Sequence, residues 1–96
     1  MKIYISGAIT GLDIEVAKEK FKQGEVVVRE MGFIPINPLD LAQQDENTTW
    51  LDYMRADIKV LVDCCGILML DNWKDSKGAV VEYNLAKGLG LKIYHN

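Results

Sequence analysis

Hydrophobic positions along the chain change period several times, and the changes divide it into strands and helices. Lys2 to Ser6 reads as a strand, and Gly7-Ala8-Ile9-Thr10-Gly11 follows as a glycine-bounded loop. Ile14, Ala17, Phe21, Val28 and Met31 then recur at three-to-four spacing. They form the apolar stripe of a helix that Asp13 can cap and Gly32 can stop, with Glu15 in its first turn. Phe33 to Ile36 predicts a short second strand, ended by Asn37-Pro38. Pro35 has no N–H to give a ladder, so this strand belongs at a sheet edge. Leu39 to Asn47 reads as a polar loop with room for one helical turn. Thr48 or Thr49 can cap a second helix from Trp50 to about Val62, with Trp50, Tyr53, Met54, Ile58 and Leu61 as its stripe and Asp57 beside it. Gly66 to Leu70 is a continuous apolar run, which suits a central parallel strand covered on both faces. After a polar loop, Asp71 to Asp75, Ser76 can cap a third helix to about Leu89, with Gly88 and Gly90 to stop it. Leu91 to Tyr94 forms the last strand.

Strands alternating with helices predict a parallel α/β sheet with right-handed crossovers. At 96 residues, with no linker, repeat or low-complexity stretch, residues 1–96 read as a single domain. A chain this short builds a marginal core, so self-association, a homodimer or larger, is expected. Apolar residues at 49% and charged residues at 26% are an ordinary soluble balance. No apolar run nears the ~20 residues that span a bilayer, so no membrane partner is expected. Met1-Lys2-Ile3-Tyr4-Ile5-Ser6 lacks the features of a signal peptide, which points to the cytoplasm. Cys64 and Cys65 are adjacent and read as small core residues in a reducing compartment, not as a disulfide framework. His95 is the only histidine, so no metal site is expected. The net charge is −3 and the basic residues are scattered, which gives no nucleic-acid-binding face.

In an open parallel sheet, ligands sit beyond the carboxyl ends of the strands near the switch in strand order. The loops meeting that edge are Gly7 to Leu12, Asn37-Pro38 and Asp71 to Gly78. The first lets backbone approach a ligand at a helix start, although it matches neither a Walker loop nor G-x-G-x-x-G; a plain strand-to-helix turn fits equally. In Ser76-Lys77-Gly78-Ala79-Val80-Val81-Glu82, Ser76 is an ordinary cap, but Gly78 is costly in a first turn unless something must come close. Glu82 shares a face with Ala79, Tyr83 and Ala86, so it is either a desolvated carboxylate with a raised pKa or a solvated one just off the stripe. Asp57 adjoins an apolar stripe too; Arg55 or a lysine is its ordinary partner. Two carboxylates converging on one cleft would suit glycosidic-bond cleavage. Trp50 and Trp73 read as core or interface packing, or, for Trp73, as a stacking surface for a ligand.

The ordered set Tyr4-Ile5-Ser6-Gly7-Ala8-Ile9-Thr10-Gly11, Asn37-Pro38, Tyr53-Met54-Arg55-Ala56-Asp57-Ile58, and Trp73 with Ser76-x-Gly78-Ala79-x-x-Glu82 resembles the nucleoside 2-deoxyribosyltransferase-like superfamily, most closely its short DUF4406 branch. The resemblance implies a flavodoxin-like three-layer α/β/α fold with a four-stranded parallel sheet. It also implies cleavage of N-glycosidic bonds of nucleosides or nucleotides without a cofactor. Glu82 matches the family nucleophile, Asp57 the aspartate that works beside it, and Tyr4 the first-strand tyrosine of the site. Ser6, Gly7, Ile9, Asn37, Trp73, Ser76 and Gly78 are then the candidate substrate-binding residues. Relatives acting on free nucleosides carry an aspartate at the Ser76 position, and those hydrolysing 5′-monophosphates carry a serine. Ser76 therefore implies a nucleotide, in line with the attraction of a phosphate to a helix N-terminus.

The implied chemistry is attack of Glu82 on C1′, departure of the base assisted by Asp57, and hydrolysis of the glycosyl-enzyme by water. A nucleotide-binding module with little or no turnover, and a deoxyribosyl transferase, are the alternatives. The sequence departs from the family at Cys65, where an aspartate is usual. It also ends at Asn96, where larger relatives add a strand and a segment that completes a neighbour's site. The expectation is that His95-Asn96 or the Gln43–Thr49 loop takes that role, or that the site is open.

Overall fold

The structure, a computed structural model, describes residues 1–41 and 47–96. Most of the Gln43–Thr49 loop lies outside them. The elements run β1 (Lys2–Ser6), α1 (Ile14–Glu30), β2 (Ile34–Ile36), a 3₁₀ turn (Pro38–Asp40), α2 (Trp50–Leu61), β3 (Gly66–Met69), a second 3₁₀ turn (Trp73–Asp75), α3 (Lys77–Leu89) and β4 (Lys92–His95). All strand pairs are parallel and the order is β2-β1-β3-β4. This is a compact α/β fold of the flavodoxin type, with its switch point between β1 and β3.

The strand pleat sorts the core into two layers. Ile3 and Ile5 of β1 and Leu68 and Leu70 of β3 pack with Phe21 and Val28 of α1. Tyr4, Ile67 and Met69 face the other way, against Leu61 of α2 and Ala79 and Ala86 of α3. β3 is buried along its whole length, as its unbroken apolar run predicts. β2, with Pro35, lies at the edge.

The helices are delimited by local chemistry. The Asp13 side chain accepts the Glu15 N–H at 2.8 Å. Thr49 caps α2 in a reciprocal box with Asp52, at 3.1 Å in each direction. Ser76 Oγ accepts the Ala79 N–H at 3.1 Å. Gly32 has φ +87° after α1, and Gly90 closes α3 with φ +76°. Three expectations need correction. The stripe of α1 is Ala17, Phe21, Gly24 and Val28, while Ile14 is 45% exposed because it precedes the stretch that crosses the sheet. Gly88 lies inside α3 and does not stop it. The segment after β3 is not a plain loop, because Trp73–Asp75 makes a 3₁₀ turn. Cys64 is buried, and both thiols are free. Among the described residues no helix is long and apolar enough to cross a membrane.

Gly66 sits where the sheet leaves no room for a side chain. A Cβ there would lie 2.9 Å from the Lys92 carbonyl oxygen and 2.9 Å from Ile3 Cδ1, so β4 or β1 would have to move. At Gly88 a Cβ meets nothing within 4 Å. Gly66→Ala should therefore destabilise the fold by about 1–3 kcal/mol, whereas Gly88→Ala should stabilise it by about 0.5 kcal/mol. Urea unfolding of the two variants checks this, and equal effects of one sign would contradict it.

Candidate active site at the carboxyl edge of the sheet

Because side chains of a strand alternate, Tyr4 and Ser6 leave β1 on the same face, toward α3. There they meet Glu82. The Tyr4 hydroxyl donates to Glu82 Oε2 at 2.7 Å, and the Ser6 hydroxyl donates to Oε1 at 2.7 Å. Tyr4 and Ser6 are fully buried, and Glu82 is 5% exposed. Of the two readings of Glu82, the desolvated one is therefore the observed one.

The carboxylate faces a cleft of about 650 Å³ walled by β1 and the loop after it, the 3₁₀ turn at Pro38 and Leu39, and the first turns of α2 and α3. That volume falls in the range of small-molecule sites, ~300–1,000 Å³. Asp57, half-buried on α2, lines the same cleft. Burial pushes Glu82 up to about 7; the Tyr4 and Ser6 hydroxyls pull it down and the Asp57 charge pushes it up. Burial likewise raises Asp57 to about 6, against the pull of the Tyr4 hydroxyl. Tyr4 itself is driven well above its ordinary value, by burial first and then by the Glu82 charge. Between about pH 6 and 7 the pair holds one proton, mainly on Glu82, whose value is raised further than that of Asp57. One can then act as an acid while the other is ionised. Among the described residues no group of three or more His, Cys, Asp or Glu is arranged to hold a metal ion.

Gly7, Ile9, Ser76 and Gly78 also line the cleft. Gly7 is required by packing, since a Cβ there would lie 2.8 Å from Leu70 Cδ1. At Gly78 the close approach comes from α2: a Cβ would sit 3.2 Å from Met54 Sδ and 3.7 Å from Trp50 Nε1. Ser6 serves Glu82 from beneath and is not on the cleft wall. Asn37 and Trp73 are not brought to the wall either. The Asn37 amide donates to Glu25 Oε2 at 2.8 Å, and its carbonyl accepts the Leu39 N–H at 3.0 Å. Trp73 stacks on Tyr83 with ring centroids 4.5 Å apart.

Sequence reasoning missed several lining residues, chiefly Trp50, Tyr53, Met54 and Lys77. Stripe position predicts Trp50 in the core, yet it is 43% exposed. It is the first residue of α2, as Lys77 is of α3. In a parallel sheet every helix starts at the same edge as the ligand-bearing loops, and that signal identifies both residues. The Lys77 Nζ lies 4.2 Å from the Trp50 ring centroid.

The profile of a family described as "Domain of unknown function (DUF4406)" matches residues 1–95. No curated protein matches the chain.

The raised pKa of Glu82 has a signed consequence for stability. Between its ordinary 4.5 and about 7, the folded chain binds more protons at this site than the unfolded chain. Stability therefore falls as pH rises through that window, by on the order of 3 kcal/mol from this group. Glu82→Gln, which cannot ionise, should lose that dependence: relative to wild type it should gain stability between pH 5 and pH 8. Urea unfolding of both proteins at the two pH values checks this, and parallel pH dependences would refute it.

Proposed function

The chain belongs to the DUF4406 family, a domain of unknown function, and from that premise we propose that it is an N-glycosidase. Its substrate is a ribo- or deoxyribonucleoside 5′-monophosphate, and Glu82 is the nucleophile. The observation that carries this reading is the Glu82 carboxylate, buried in a cleft, fixed through both oxygens by Tyr4 and Ser6, and accompanied by Asp57. The resemblance of these residues to the nucleoside 2-deoxyribosyltransferase-like superfamily supports the same assignment. A homo-oligomer acting in the cytoplasm on a small molecule belongs to the proposal; nucleic acid and membranes do not.

The reactive form carries the proton on Asp57 with Glu82 ionised. Because burial raises Glu82 further, to about 7 against about 6 for Asp57, this is the minor of the two singly protonated forms and is replenished as it reacts. Each Glu82 oxygen spends one lone pair on a hydroxyl and keeps another for attack. Glu82 forms a bond to C1′ as the C1′–N bond breaks, and the electron pair leaves with the base, which takes the Asp57 proton. Water then attacks C1′, giving its proton to Asp57, and Glu82 departs as carboxylate, releasing the sugar 5-phosphate. Tyr4 and Ser6 are positioning residues that also favour the ionised form. The Ser76 hydroxyl and the first-turn N–H groups of Lys77 and Gly78, which have no intrahelical acceptors, suit the phosphate.

Incubation with nucleoside 5′-monophosphates and the matching nucleosides, followed by chromatography for free base, tests the reading. Wild type should release base from monophosphates. Glu82→Gln should lower the rate by at least ~10³-fold, and Asp57→Asn by about 10²–10⁴-fold. The kcat/KM profile should be bell-shaped with limbs near 6 and 7. Ser76→Asp should weaken monophosphates and spare nucleosides. Tight binding without base release would identify a binding module instead, and base exchange on free nucleosides a transferase.

A further inference from the structure

The cleft wall is electrostatically lopsided. Asp57, Asp75 and Glu82 line it, and among the described residues Lys77 is its one cation. Lys77 makes no ion pair among the described residues. Its ammonium instead rests on the Trp50 indole, 4.2 Å from the ring centroid. Trp50 and Lys77 are the first residues of α2 and α3, and the indole Nε1 lies in ordinary contact range, 3.7 Å, of where a Cβ of Gly78 would stand. The pair thus bridges the mouth of the cleft, five positions before Glu82 on α3 and seven before Asp57 on α2, about 1.4 and about 1.9 helical turns.

We propose that Lys77 is the residue that selects a phosphate-bearing substrate, and that it is parked on Trp50 until the phosphate takes it off. This deepens the proposed function and rests on its phosphate-bearing substrate. An ammonium near the surface gains less from an indole face than from a charge-assisted bond to a phosphate dianion. The exchange therefore runs toward the ligand. Without Lys77, an anion entering the cleft meets three carboxylates and no opposing side-chain charge. The tryptophan serves as a holder: it keeps a flexible side chain beside the site at little entropic cost, and its ring reports the departure.

The probe is ribose 5-phosphate, the base-free product, with ribose and inorganic phosphate as comparisons. Titrating ribose 5-phosphate into the ¹⁵N-labelled chain should shift the indole N–H signal of Trp50 and leave that of Trp73 in place. Ribose should move neither. Lys77→Gln should move the Trp50 signal before any ligand is added and abolish the further shift. It should also weaken ribose 5-phosphate by about tenfold, equivalent to ~1.4 kcal/mol, while Lys77→Arg keeps most of the affinity. Binding that leaves Trp50 unmoved, equal affinity of Lys77→Gln and wild type, or no binding of either phosphate would overturn the proposal. Base release by wild type is a separate readout. Release with a silent Trp50 sinks the Lys77 assignment alone; a Lys77-dependent shift without release sinks the glycosidase alone.

Discussion

Taking a carboxylate out of water costs several kcal/mol unless hydrogen bonds or an opposite charge replace its hydration. Glu82 is 5% exposed and meets that demand with two hydroxyls, each at 2.7 Å. The choice of partner matters as much as its presence. An arginine would fix the group in its ionised form, far below neutral pH. Hydroxyls fix its position while leaving the charge only partly compensated, so burial still raises the group to about 7. The site therefore has rigid geometry and a labile proton, a combination that acid–base or nucleophilic chemistry at neutral pH needs.

The register of β1 serves that contact. Tyr4 and Ser6 are two positions apart on β1, so the pleat turns both toward α3 and sends Ile3 and Ile5 into the opposite layer. A one-residue slip of β1 would bury the hydroxyls under α1 and strand the carboxylate. β1 is held against slipping by parallel partners on both sides, from Lys2 opposite Ile34 to Ser6 opposite Met69. Beyond Ser6 the chain must pass within reach of Leu70, which admits only glycine at position 7. The cost is carried by the whole domain: above neutral pH the ionised Glu82 subtracts from the stability that the two apolar layers supply.

Period and punctuation made the fold readable from the sequence. The apolar run of β3, the alternation of β1 and Pro35 at the edge each have one good structural reading, and the caps at Asp13, Thr49 and Ser76 follow from side-chain chemistry. What failed was local choice between equivalents. Gly88 and Gly90 both can end a helix, and only the path into β4 decides that Gly90 takes the left-handed conformation. Trp50 and Trp73 offered a similar choice. Stripe position put Trp50 in the core and loop position put Trp73 at the site, whereas the structure turns Trp73 onto Tyr83 and leaves Trp50 at the cleft. The partners of Asn37 and Ser6 were illegible for the same reason, since a buried amide or hydroxyl declares a need for a partner without naming it. The pair Asp57 and Glu82 could be proposed from residue type, but their convergence depends on two helices packing side by side.

That convergence follows from helix geometry. α2 and α3 both begin at the carboxyl edge of the sheet. Asp57 follows the first residue of α2, Trp50, by seven positions, and Glu82 follows the first residue of α3, Lys77, by five, which at 1.5 Å per residue is about 10.5 and about 7.5 Å. Side chains on a helix lean back toward its start, so both carboxyls lean toward the mouth, from positions about 3 Å apart along their helices. The cleft consequently has a gradient along its axis. At the top are first-turn N–H groups, the Ser76 hydroxyl and the Lys77 ammonium, all of which favour negative charge. At the bottom, burial works against negative charge on Asp57 and Glu82. A ligand matched to this gradient carries its anion at one end and, some one and a half to two helical turns away, an electrophilic centre that a carboxylate can reach and a leaving group that can accept a proton. A nucleotide meets all three conditions, and a free nucleoside lacks the first.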